Sequence, residues 1–226
     1  MAILYVNQNA AGSNDGNSWG NAYTDLQTAI ADASAGDEIW VVKGTYKPGI
    51  SREDSFTLKY RVEIYGGFAG IETSREQRDF ENNETILSGD IGTPDNNSDN
   101  SYHVVFASNT TPNTILDGFT ITGGNANRSP NNNGGGIHNS NGNPTFTNLL
   151  IKDNSASSRG GGIYNVNSNS SFTNITFSKN SASSSSSRGG GIYNFSSSSI
   201  FTDVNFSENS ALNGAGIYNE DSNPTL

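Results

Sequence analysis

The chain has 226 residues, no cysteine and a formal net charge of −10. That acidic balance argues against nucleic acid and anionic membrane surfaces, which require clustered Lys and Arg, and the lack of cysteine removes disulfides and thiolate metal sites. Only 32% of residues are apolar, too few for a thick core, so the chain must either be disordered or fold as an elongated repeat with a thin interior.

The first residues, Met1-Ala2, lead directly into the apolar run Ile3-Leu4-Tyr5-Val6 without the pattern of a signal peptide. Residues 1–36 read as an N-terminal cap. Thr24-Asp25-Leu26-Gln27 has the spacing of a capping box, with Thr24 at the N-cap and Gln27 at N3. Leu26, Ile30 and Ala33 then share one helical face, and Gly36 is placed to end the helix. Glu38–Val42 reads as the first strand, beneath a short amphipathic helix that covers an otherwise open sheet edge.

Residues 37–113 contain strand-like runs at Ile39–Val42, Val62–Tyr65, Thr85–Leu87 and Val104–Phe106, without a fixed repeat. These predict irregular coils with long loops. The one concentrated acidic stretch lies here. Asp90, Asp95 and Asp99 are the candidate oxygen ligands for a structural Ca²⁺, although their spacing is not that of an EF-hand loop, and an Asx-rich turn connecting irregular coils is the preferred reading. His103 adjoins a strand and reads as structural. No other cofactor is expected.

Residues 114–226 repeat plainly. Gly-Gly-Gly-Ile occurs at Gly134–Ile137, Gly160–Ile163 and Gly189–Ile192, and Gly214-Ala215-Gly216-Ile217 is a fourth copy, so the isoleucines lie 26, 29 and 25 residues apart. Nine residues beyond each isoleucine stands Phe146, Phe172, Phe201 or Leu226. Apolar residues follow each Phe at three and five positions, and an asparagine at eight: Asn154, Asn180 and Asn209. Only the link from that asparagine to the next glycines varies, so the serine run Ser183–Ser187 is a loop insertion. Leu116, Phe119 and Ile121 form an earlier, weaker copy.

Apolar and polar residues alternate with the period of strands. Three strands fit each repeat, near Ile137, Phe146 and Leu149–Ile151, and Gly and Asn supply the turns. The prediction is an all-β, right-handed parallel β-helix of about 25 residues per coil. Equivalent side chains stack: Ile137/Ile163/Ile192/Ile217 and Phe146/Phe172/Phe201/Leu226 inside, Asn154/Asn180/Asn209 as an amide ladder at a turn. Leu226 falls at an anchor position, so the chain is expected to stop in mid-coil, with end-to-end self-association through the last coil as a consequence.

The outward positions are the candidate binding surface. His138, Tyr164, Tyr193 and Tyr218 each follow an isoleucine and form an outward aromatic column, suited to sugar rings or a partner protein or, alternatively, to shielding the strands. Asn139, Asn165, Asn194 and Asn219 come next, turning inward or capping the strand ends. Thr147, Thr173 and Thr202 form another outward column. Asp153, Lys179 and Glu208 share a column of mixed sign, and Arg159 and Arg188 occupy equivalent loop positions as exposed surface charge. These provide neither the paired carboxyls of glycoside hydrolysis nor a plain carboxylate clamp for lyase chemistry, and no catalytic residue is assigned.

Phe177-Ser-Lys-Asn180 and Phe206-Ser-Glu-Asn209, with Ile151-Lys-Asp-Asn154 as a variant and the GGGI/GAGI motifs beside them, resemble the repeats of polymorphic outer membrane proteins over residues 134–219. Those repeats pair Gly-Gly-Ala-(Ile/Leu/Val) with Phe-x-x-Asn, so the glycine motif departs by one small residue. The N-terminal half is similar to bacterial secreted β-helix repeat proteins at Asn14–Trp19, Ala22–Gln27, Gly36–Pro48, Tyr65–Thr73 and Leu87–His103. The resemblance implies a secreted or cell-surface module, a stalk or adhesin-like surface. Glycans or surface proteins are the expected partners of the aromatic column, and, with no apolar run long enough to span a bilayer, direct membrane insertion is not expected. The alternative is a carbohydrate-active enzyme (polysaccharide lyase, epimerase or glycoside hydrolase), its site on the irregular coils or beyond residue 226.

Overall fold

The computed structural model describes all residues from Met1 to Leu226. Every paired strand runs parallel to its neighbour, and the chain winds as a parallel β-helix of about six turns. The longest sheet stacks Ile3–Val6, Glu38–Val42, Glu63–Phe68, Ile115–Thr122, Thr145–Lys152, Ser171–Ser178 and Ile200–Ser207, with Gly44–Tyr46 and Thr85–Ser88 joined at its side. A second sheet stacks Phe56–Thr57, Val105–Ser108, Ile137–Ser140, Ile163–Val166, Ile192–Phe195 and Ile217–Glu220. A third, of two-residue strands, stacks Asn125–Ala126, Ser155–Ala156 and Ser181–Ala182.

Register follows the repeat residue for residue. Ile137 pairs with Ile163, Ile163 with Ile192 and Ile192 with Ile217. Phe146 pairs with Phe172, and Phe172 with Phe201. The phenyl rings stack at 5.3 and 4.9 Å between centroids, and Phe177 stacks on Phe206 at 5.0 Å. All of these except Phe206 and Ile217, which are partly buried and pack against it, belong to one continuous core of 30 buried side chains along the axis. Each buried side chain of this size contributes roughly 1.5–3 kcal/mol, and strand pairing between coils supplies the remaining cohesion. The mean turn is about 29 residues, longer than the regular coils, because the irregular coils carry excursions: Glu63 pairs with Ile115.

Three strands do fill each regular coil, but not the three read from the pattern. Phe146 and Leu149–Ile151 lie on one strand, Thr145–Lys152, bent at Asn148 with φ 49°. The third strand is the pair Ser155–Ala156, whose small polar residues carry no apolar alternation. The corners are columns of left-handed residues: Asn141/Asn167/Ser196/Asp221, Asn148/Asn174/Asp203, Asp153/Lys179/Glu208 and Gly134/Gly160/Gly189/Gly214. Asn, Asp and Gly tolerate this conformation most readily. Lys179 and Glu208 hold it only because the surrounding ladder dictates the corner.

The glycine triplets are dictated by close approach. A Cβ on Gly161 would stand 2.4 Å from the Ser181 carbonyl and 2.6 Å from that of Gly190, so backbones meet where no side chain fits. Ala215 is accommodated in the fourth copy, where the position is exposed.

Two asparagine ladders run inside the wall. Asn154 Nδ2 donates to Asn180 Oδ1 (3.1 Å), and Asn180 Nδ2 to Asn209 Oδ1 (3.0 Å). Asn139, Asn165, Asn194 and Asn219 form the second, with donor–acceptor distances of 2.7, 3.0 and 2.8 Å.

The N-terminal cap differs in detail from the expectation. Asp25, not Thr24, is the N-cap of helix Leu26–Asp32, its carboxylate accepting from the Thr28 backbone at 2.8 Å. Asp is as good an N-cap as Thr, and it stands one residue closer to the buried face. Leu26, Ile30 and Ala33 are buried as expected, and the helix ends at Ala33, before Gly36. The first strand is Ile3–Val6 rather than Glu38–Val42. The segment before the helix closes its free edge: Tyr5 N donates to Gly16 O, and Tyr23 N to Tyr5 O. Trp19, Trp40 and Phe68 form a small second cluster on the outer face of this sheet.

Candidate functional site

The second sheet presents the most regular surface feature. Phe106, His138, Tyr164, Tyr193 and Tyr218 share one register column through successive strands. Their rings form an unbroken stack: Phe106–His138 at 5.4 Å, His138–Tyr164 at 5.1 Å, Tyr164–Tyr193 at 5.5 Å and Tyr193–Tyr218 at 5.8 Å. The two Tyr–Tyr pairs lie within 6° of parallel. Parallel strand register enforces this spacing, since successive coils repeat at the strand separation.

The column is less open than the sequence predicts. Tyr193 is only 2% exposed, and His138, Tyr164 and Tyr218 are half-buried. The cover comes from the segment before each glycine triplet. Arg159 and Arg188 occupy equivalent positions and pair as a bridge. Their guanidinium groups lie 5.3 Å from the Tyr193 ring and 5.1 Å from the Tyr218 ring. Arg188 also meets Glu220 at 2.6 Å, and Glu220 accepts from the Tyr193 hydroxyl at 2.7 Å. The two arginines are therefore lids over aromatic rings (cation–π contacts) rather than the free surface charges expected. Burial, with Glu220 accepting its proton, pushes the Tyr193 phenol up to about 12. The same hydroxyl, and then Arg188, hold the Glu220 carboxyl below its usual range.

At the other end of the column His103 lies 5.0 Å from His138. Its Nδ1 is 2.8 Å from the Gly134 carbonyl, so it ties the irregular coil to the first glycine triplet. Burial, reinforced by His103, pushes His138 down to about 4, and burial lowers His103 as well. A depressed base stabilises the fold fully above its unfolded value, about 6.5. That contribution is lost as pH falls toward the folded value. The urea midpoint is therefore expected to drop between about pH 6.5 and 4, and His138→Tyr, which keeps a ring in the stack, should flatten that slope. An equal slope in the variant would contradict this.

The remaining sequence candidates are not assembled into a centre. Asp90 and Asp99 spend one oxygen each on the backbone of their own turn: Asp90 Oδ2 accepts from Asp95 N, and Asp99 Oδ2 from Thr93 N. Asp95 is an exposed, left-handed corner residue. No three His, Asp or Glu side chains gather in a metal-holding group, so the structure does not bring the three aspartates together. Asp153, Lys179 and Glu208 mark a left-handed corner, with Lys179 and Glu208 exposed and 4.0 Å apart. Thr147 and Thr173 stand half-buried on the bent strand, while Thr202 is exposed.

Fold and ladders together define a parallel β-helix whose regular coils display an arginine-covered aromatic column. Residues 148–166, 174–194 and 203–220 match the model of the Chlamydia polymorphic membrane protein repeat. The chain is a parallel β-helix protein, and these three segments of its regular coils are similar to that repeat. The matched segments hold the Phe-x-x-Asn motifs, whereas the first glycine triplet, Gly134–Gly136, lies outside them. No curated protein matches the chain. Among solved structures it is similar to a pectin methylesterase mutant in complex with hexasaccharide IV, with 12% identity and a TM-score of 0.49, covering 93% of this chain and 67% of that one. No helix is long and apolar enough to cross a membrane.

Proposed function

We propose that the chain is a non-catalytic, adhesin-like module of a bacterial secreted or cell-surface protein, working as a rigid binding wall. The observation that carries this reading is the aromatic column from Phe106 to Tyr218. It repeats one chemical feature at a fixed step over successive coils. A partner with repeating units meets several equivalent contacts at once, and multiplicity turns weak contacts into avidity. The half-buried edges of Tyr164 and Tyr218, with the guanidinium of Arg188, offer an apolar surface beside hydrogen-bond donors, which suits glycans or glycosylated surface proteins.

A glycan array probed with the chain tests the reading. Binding is expected, and Tyr164→Ala with Tyr218→Ala should weaken it about tenfold or more, as loss of stacked anchors does, while far-UV circular dichroism stays unchanged. Tyr193 is too buried to serve as a clean probe. Survival of every hit in both substitutions would refute the column as the binding surface. Release of unsaturated products from a uronate polysaccharide would replace the proposal with a carbohydrate-active enzyme.

A further inference from the structure

On another face, the bent strands of the long sheet and the excursion around Phe80 enclose a cleft of about 370 Å³. That volume lies within the range of about 300–1,000 Å³ usual for small-molecule sites. Its walls include Phe80, Glu81, Glu84, Leu150, Asn174 and Thr176. We infer that this cleft binds an oligosaccharide free of acidic groups, with preference for an amine-bearing sugar. The inference is independent of the aromatic column, which lies on the second sheet.

The cleft is built before any ligand arrives. Phe80 is half-exposed, but its backbone packs so closely on Gly67 that a Cβ there would stand 2.7 Å from the Phe80 Cα. Arg78 braces it from behind, its guanidinium 5.6 Å from the Phe80 ring and its Nη2 2.7 Å from Asp117. The opposite wall is set by the left-handed bend, where Asn174 Nδ2 donates to Asn148 Oδ1 at 2.7 Å and Asn148 Nδ2 to Asp117 Oδ1 at 2.8 Å. This orients Asn174 with its amide oxygen free of any partner in the chain. Leu150 and Thr176 are register partners on adjacent coils and present an apolar and a hydroxyl group side by side. An aromatic ring facing amide, hydroxyl and aliphatic groups matches a sugar ring, which has C–H faces and hydroxyl edges.

Charge selects the sugar. Glu81 and Glu84 are the only charged residues lining the cleft, and both are exposed. Glu84 orients its carboxylate by accepting from Thr120 Oγ1 at 2.9 Å, while Glu81 has no cationic partner. Arg78 is neutralised by Asp117 behind the wall, and Lys152, two residues beyond Leu150, does not line the site. A uronate or sulfate would meet two like charges, and a protonated amine two opposite ones.

Titration of the isotopically labelled chain with a chito-oligosaccharide, its de-N-acetylated form and an oligogalacturonate decides the matter. Saturable shifts are expected at Thr120, Leu150 and Thr176 with the first two, tighter for the amine form, and none with the uronate. Glu81→Gln should weaken the amine form about threefold, the scale of an exposed charge pair, and leave the acetylated form unchanged. Thr176→Trp, at an outward position, should fill the cleft and abolish both. Tyr164→Ala should change neither, which separates this site from the column. No shift at these residues with either chito-oligosaccharide, tighter binding of the uronate, or loss of binding in Tyr164→Ala would overturn the inference.

Discussion

Replacing Asn180 with alanine is expected to cost about 3–5 kcal/mol of stability, measured as a lowered urea midpoint, because one buried amide serves two coils at once. Its Oδ1 accepts from both the backbone N–H and the Nδ2 of Asn154, and its Nδ2 donates to the Ile151 carbonyl and to Asn209 Oδ1. The side chain is fully buried, so water cannot replace these partners. Alanine would leave the Asn154 N–H without an acceptor and open a polar void. Asn180→Asp separates donor from acceptor. It keeps the acceptor but turns a charged oxygen toward the Ile151 and Asn209 oxygens, so it should be at least as damaging at neutral pH. A loss under about 1 kcal/mol in either variant would show that the ladder does not hold the coils together.

The second large effect is expected at Phe172. Its ring is fully buried between Phe146 and Phe201, at 5.3 and 4.9 Å, with interplanar angles of 16° and 8°. Phe172→Ala removes the middle of a three-ring stack in an interior one coil wide. Large-to-small changes of this kind cost about 3–5 kcal/mol, and the two lost ring pairs weigh toward the upper end. Phe201→Ala should cost less, because Phe201 stacks on a ring at one side only, and the difference between the variants reports the second pair. Calorimetric or urea midpoints that rank Phe201→Ala above Phe172→Ala would contradict the stacking account.

Much of the fold was legible because stacking makes register visible in the letters themselves. Phe146, Phe172 and Phe201, nine after an isoleucine, and Asn154 and Asn180, eight after a Phe, are buried columns that follow from spacing alone, whereas Leu226 at the same spacing is exposed. Less legible were the corners. Asn148, Asn174 and Asp203 stand in the middle of a strand pattern, and nothing in alternation distinguishes a bent strand from two separate ones. Their signal was a turn-forming residue two positions after each Phe, in Phe146-Thr-Asn148, Phe172-Thr-Asn174 and Phe201-Thr-Asp203. The first strand, Ile3–Val6, was read only as an apolar run, because its pairing partner lies across the helix, 35 residues away.

The candidate site was legible as a column and misread as an exposed one. Spacing places Tyr164, Tyr193 and Tyr218 in register, but burial depends on where the Arg159 and Arg188 segments fold, and loops leave no period to read. The cleft beside Phe80 had no motif at all. It arises from an irregular excursion meeting a regular wall, so its residues come from separate coils with no common spacing. The acidic stretch near Asp90 shows the converse: clustering along the chain did not become clustering in space, because Asp90 and Asp99 each turn one oxygen to the backbone of their own turn and Asp95 is exposed at a corner.

The two asparagine ladders and the hydrogen bonds between strands share one direction, along the helix axis. A pull applied along that axis loads these bonds lengthwise and in series, so the weakest junction between neighbouring turns sets the force at which the rod parts. Each amide rung adds a link at a junction where the backbone already has several, and extension would proceed by peeling turns in succession rather than by melting the whole wall together.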